Sequence, residues 1–343
     1  MKDESSNRLR ILGEVFPTGQ RPVDPSVIYG REDYLLDAIR ILDTRGQCPV
    51  IFGPKGIGKS TLVWQIELIV KEDRNAARNR GFVGLRETPN SYYETFRLTC
   101  SRLGNGQAVL NSIAEHLRRK LDWIEAEGAR EKEEFLEKYS SDGSGISMPV
   151  LSSGNRSQKP DEPSANSAYE EIFNLAPKVS AGCSTPLLFI LDDLDAVDDT
   201  GVITSFLKDA CWNMPDELRF VLAGTAIRPG DLLEDLPILD GIAKWIELKQ
   251  MESDELLKML KQKAARLAER GLTFEFEPGI FNSIAMISAG HPSRAVQLAR
   301  DSIRAAENKR DVLIARVHLD AALRDLIGAM QPSASARRRP LTR

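Results

Sequence analysis

The chain has 343 residues, 42% hydrophobic and 28% charged, enough for one large domain or two modest ones and too apolar to be disordered throughout. A formal net charge of −4 excludes an overall basic field that would draw in nucleic acid or anionic membrane, so any such contact has to be local. The four cysteines are scattered and form neither a zinc nor a disulfide pattern. The first ten residues are polar, and no apolar run approaches the ~18 residues that span a bilayer. Reducing cytoplasm is the expected compartment.

Residues 1–26, rich in Pro, Gly and charge, read as a flexible arm. Apolar residues Leu35, Leu36, Ile39 and Leu42 recur at helical spacing across 29–42. The short apolar run 48–52 predicts a strand, and 59–70 predicts a helix after a glycine-rich turn. A second strand is predicted at 95–100 and a helix at 107–123, with Val109, Leu110, Ile113 and Leu117 on one face. Strands alternating with helices indicate an α/β fold, a parallel sheet flanked by helices. Between about 125 and 166 the composition turns polar and breaker-rich, which predicts a flexible insertion. The apolar runs 186–191 and 219–223 suit the buried centre of a sheet. After 246 the pattern becomes helical: 253–270 stops at Gly271, 278–289 and 292–306 each open on proline, and 311–329 gives a last helix. The expected organisation is therefore an arm at 1–26, a nucleotide-binding α/β body at 27–250, a small all-α domain at 251–330 and a basic flexible tail at 331–343.

Two stretches carry chemistry. VIFGPKGIGKSTLVW, 50–64, fits G-x-x-x-x-G-K-S between a strand and a helix. In such a loop, here Gly53, Pro54, Lys55, Gly56, Ile57, Gly58, Lys59, Ser60 and Thr61, the backbone N–H groups (Pro54 has none), backed by the helix dipole, surround phosphates. Lys59 reaches the outer phosphates and Ser60 ligates Mg²⁺. PLLFILDDLD then ends an apolar strand in carboxylates. Asp192 is expected to hold the metal through water, and Asp193 to orient or deprotonate an attacking water. ATP and Mg²⁺ are the expected cofactors.

Five segments resemble the AAA+ branch of P-loop ATPases, above all the origin-recognition and replication-initiator group, with features of the STAND ATPases: YGREDYLLDAI at 29–39, GPKGIGKST at 53–61, FRLTCSRLGNGQAVLNSIAEHL at 96–117, FILDDLDAVDD at 189–199 and AGHPSRAVQLA at 289–299. The resemblance implies a P-loop AAA+ sheet followed by a helical lid. It also implies Tyr29, Gly30 and Arg31 beside the adenine, Thr225 as the polar sensor at the end of the strand that follows the acidic one, and Arg294 as the sensor of the lid. Thr225 departs from the asparagine common in initiators, Asp193 from the more frequent glutamate, and the Gly-x-Pro at 290–292 is more typical of STAND proteins. His291 reads as a turn or packing residue, and no motif supports Arg228 as an arginine finger.

The implied function is an ATP-binding, ATP-hydrolysing module that switches a protein partner or its own assembly. One alternative is a DNA-associated initiator, loader or transposition-type ATPase; another is a nucleotide-binding scaffold with negligible hydrolysis. Thirteen residues follow Met330, whereas the winged-helix domain usual in initiators needs ~70. That favours the partner-acting reading over an autonomous origin binder. No membrane contact is expected.

Overall fold

The computed structural model describes residues 2–17, 30–71, 93–140, 165–234 and 236–330. They fall into two compact units, one made of Asp37–Phe52 and Ile66–Ile246, the other of Met1–Leu36, Gly53–Gln65 and Glu247–Arg343. This division is not the expected body at 27–250 and lid at 251–330, because 53–65 group with the C-terminal helices. The tail at 331–343 and Tyr29 lie outside the described residues.

The first unit is built on a five-stranded parallel sheet in the order β2-β3-β4-β1-β5. Its strands are β1 (Cys48–Gly53), β2 (Glu94–Thr99), β3 (Leu187–Asp192), β4 (Leu218–Thr225) and β5 (Ala243–Glu247). The central strands are mostly apolar, Asp192 and Arg219 being buried exceptions, because helices cover both faces of a parallel sheet. β3, LLFILD, is buried along its whole length, and so is β4 as far as Gly224. Edge strand β5, AKWIE, alternates with partial exposure, and with no uniform apolar run it escaped the sequence reading. Phe96, Phe189 and Phe220 stack across β2, β3 and β4, and Phe206 meets Phe220 edge-on. Helices α4 (Gly106–Ser140), α5 (Ala165–Cys183) and α6 (Gly201–Asn213) belong to this unit, and α4 packs along α5. The insertion expected from 125 is thereby corrected in part: 125–140 continue α4, while 141–164 lie outside the described residues.

The second unit has its own core. Helices α7 (Ser253–Glu269), α8 (Ile280–Ser288), α9 (Pro292–Lys309) and α10 (Arg316–Met330) enclose it, with a two-stranded parallel ladder of β6 (Glu275–Phe276) and β7 (Leu313–Ile314). The expected arm is also corrected. Helix α1 (Lys2–Val15) packs on α7, and its second half buries Ile11, Leu12, Val15 and the following Phe16. Lys263 Nζ donates to Val15 O at 2.8 Å and lies over the Phe16 ring, and Arg8 pairs with Glu307 at 3.1 Å. The polar first turns, KDESSN, conceal this apolar end. Helices α2 (Glu32–Asp43) and α3 (Lys59–Lys71) complete the described elements.

Candidate functional site

The glycine-rich loop lies between β1 and α3, as its motif requires. Its geometry is set by what its carbonyls bind. Lys59 is buried and folds back on its own loop, Nζ donating to Gly53 O and Pro54 O at 3.0 Å each. The His291 ring hydrogen-bonds the Lys55 backbone. Ser293 N donates to Gly56 O at 3.4 Å, and Arg31 Nη2 donates to Ile57 O at 3.5 Å. Donors thus hold the backbone at five consecutive residues. In a trans peptide the carbonyl and the next N–H point oppositely, so the N–H groups of Lys55, Gly56, Ile57 and Gly58 each point away from the donor that holds the preceding carbonyl. Leu62 N donates to Gly58 O at 3.0 Å as the first bond of α3, which leaves the positive end of that helix dipole at the loop. A backbone of this kind accepts an anion.

Two of the anchors come from the start of α9. His291 precedes it and Ser293 is its second residue. A Cβ added at Gly56 would stand 2.2 Å from Ser293 Oγ, and Gly56 has φ +80°, so only glycine admits this approach. Burial first, and then the charge of Arg294, push the His291 pKa below its usual value, so the ring is neutral at pH 7. Exposed Arg294, the expected lid sensor, is therefore close to a residue that touches the loop.

Arg31 is buried, donates to Lys249 O at 2.6 Å as well as to Ile57 O, and stacks on Tyr34 with 5.3 Å from guanidinium to ring centroid. Its side chain braces the loop, whereas the resemblance implied contact with a base. Gly30, at φ +59°, lies against Glu255, whose carboxylate would stand 2.2 Å from an added Cβ.

In the sheet unit, the acidic end of β3 has its own geometry. Asp192 is buried; its Oδ2 accepts from Arg97 Nη2 at 2.5 Å and its Oδ1 from Asp193 N at 3.1 Å. Asp193 is exposed and has φ +59°, a left-handed conformation that costs a non-glycine residue about 1–2 kcal/mol. It turns the carboxylate out of the sheet, where Ser101 Oγ donates to it at 3.3 Å. Asp195 Oδ1 accepts from Thr225 N at 2.6 Å, which ties the end of β4 to the acidic turn and sets the expected sensor, Thr225, half-buried beside it. Burial first, then the charges of Asp192 and Asp193, raise the Cys100 thiol to about 12. That keeps it protonated and a poor nucleophile.

Sequence reasoning missed Arg97, Ser101 and Asp195. Only Arg97 carried a signal, a lone cation inside the strand ETFRLT. Among the described residues no three His, Cys, Asp or Glu gather to hold a metal, and no helix is long and apolar enough to cross a membrane.

No protein-family model matches the chain, and no curated protein matches its sequence. Among solved structures it is similar to the Orc1 protein of Aeropyrum pernix in complex with DNA, at 15% identity and a TM-score of 0.54, over 93% of this chain and 69% of that one. It is also similar to the Drosophila ORC bound to DNA, at 16% and 0.58, over 95% and 68%. For Cdc6p of Pyrobaculum aerophilum the values are 14% and 0.55, over 93% and 74%. At these identities the likeness establishes the fold: the chain has the AAA+ fold of the origin-recognition proteins.

Proposed function

We propose that this chain binds ATP with Mg²⁺ at the loop 53–61, hydrolyses it, and passes the nucleotide state to a protein partner. The observation that carries this reading is the loop whose carbonyls are held by Lys59, His291, Ser293 and Arg31 while its amides point away from those donors. Phosphate oxygens suit those amides, and Lys59 exchanges its two carbonyl acceptors for two charge-assisted bonds to the outer phosphates. A Mg²⁺ ion that takes most of its ligands from phosphate and water needs few protein groups, and Ser60 and Asp192 are of the right kind. Bound there, the ion would neutralise charge on the transferring phosphoryl group. Asp193, exposed and ionisable, orients the attacking water. Arg294 responds to the phosphates from the start of α9, and because α9 rests on the loop through His291 and Ser293, filling the loop alters what that helix rests on. Tyr29, Gly30 and Arg31 would serve the adenine side.

Turnover tests the reading. Wild type is expected to release phosphate from ATP, and Asp193→Asn to bind ATP with unchanged affinity and release none. Turnover surviving in that variant removes Asp193 from its role. The likeness to an Orc1 in complex with DNA and an ORC bound to DNA favours a second reading in which the partner is duplex DNA. Stimulation of turnover by DNA, falling steeply with added salt, would select it.

A further inference from the structure

We propose that Arg97 is a stand-in cation for the metal: it holds the Asp192 carboxylate when no divalent ion is there, and Mg²⁺ has to displace it. The inference rests on the reading that Asp192 serves Mg²⁺, and it assigns to Arg97 the setting of how much Mg²⁺ is required.

Arg97 lies in the middle of β2 between buried Phe96 and Leu98. The parallel register pairs Thr99 with Asp192 and Arg97 with Ile190, and strand alternation puts Arg97 on the face shared by Thr99, one step from Asp192. Its side chain is 8% exposed. A guanidinium withdrawn from water is costly unless its donors are satisfied, yet Nε and Nη1 have no hydrogen-bond partner. The one close bond is Nη2 to Asp192 Oδ2. A second carboxylate lies just beyond bonding distance, Glu67 Oε2 at 3.6 Å from Nη1, and Glu67 is itself engaged by Lys71 at 2.8 Å.

A residue placed for stability would satisfy its donors; here Nε and Nη1 make no hydrogen bond, Nη1 has only a long ion pair with Glu67, and Nη2 is committed to the carboxylate of the proposed metal site. The arrangement has two states. In one, Arg97 neutralises Asp192. In the other, a divalent cation takes Asp192, repulsion moves the guanidinium away, and the idle donors close on Glu67. Like charges a few ångströms apart in a partly buried site interact strongly, so the guanidinium raises the Mg²⁺ concentration needed to occupy Asp192.

The test is Arg97→Gln, which keeps a polar side chain and removes the charge, with Arg97→Lys, which keeps the charge. ATP binding is followed by calorimetry through a titration of magnesium chloride, and thermal unfolding is followed in magnesium chloride alone against potassium chloride of equal ionic strength. For Arg97→Gln the half-saturating Mg²⁺ is expected to fall at least about tenfold, and Mg²⁺ alone to raise Tm more than in wild type. Arg97→Lys is expected to titrate like wild type. An unchanged Mg²⁺ titration in Arg97→Gln, or Arg97→Lys behaving like Arg97→Gln, overturns the proposal. Should Arg97→Gln fail to fold, Glu67→Gln carries the test: without the second acceptor the Mg²⁺ requirement rises, and an unchanged requirement overturns the idea. If no variant and no wild type binds ATP, the nucleotide reading fails, while the Mg²⁺-only unfolding still decides the role of Arg97.

Discussion

Gly53 shows how a motif position becomes a physical requirement. At φ +148° a side chain is already disfavoured, and a Cβ there would meet the backbone oxygen of Leu248 at 2.7 Å, an atom that cannot swing aside. Gly53→Ala is expected to destabilise the protein by about 2–3 kcal/mol. Gly13, within α1 with nothing within 4 Å of an added Cβ, provides the opposite sign: Gly13→Ala is expected to stabilise by about 0.5–1 kcal/mol. Urea unfolding of both variants checks the pair, and equal effects would show that the close approach at Gly53 is not felt. The glycine pattern was legible in the sequence because spacing alone encodes it. What holds the loop was not: Arg31, His291 and Ser293 meet it from 22 or more residues away, and no local rule announces such a partner. Arg31 illustrates the limit, since its G-R-E context suggested a base contact and nothing local announced that its Nη2 donates to Ile57 O and Lys249 O.

Elements followed the same logic of visible and hidden signals. β1, β3 and β4 were readable because a strand buried on both faces is an apolar run bounded by breakers, and α7 because its apolar stripe ends in Gly271. β5 was unreadable because an edge strand, half exposed, mixes Lys244 and Trp245 with Ile246. Helix α1 was missed because exposed residues occupy its described first half, Ser6 to Arg10, and the segment after Phe16 is rich in proline. Its buried end is nevertheless part of a core: Phe16 is fully buried, and Leu12 nearly so. Phe16→Ala is expected to cost about 3–5 kcal/mol, read from the midpoint of chemical denaturation. A flexible arm would show no change, and that result would detach α1 from the core around α7.

For the molecule as a whole, the α/β sheet, the C-terminal helices and the AAA+ fold were legible in the sequence, because alternating strands and helices around a phosphate-loop motif leave few topologies open. The grouping of 53–65 with 247–330 was not, since compact units are made by contacts across the chain rather than by composition. Each unit has its own apolar core, and the loop takes its anchors from the second. The proposed function requires that this loop hold a triphosphate through its amides and Lys59. Equilibrium titration of wild type and Lys59→Ala with ATP in the presence of Mg²⁺ measures it directly. Wild type should bind and the variant should lose affinity by at least about a hundredfold, the scale of two charge-assisted hydrogen bonds at about 1.5–3 kcal/mol each. Equal affinity in the two proteins would contradict the claim.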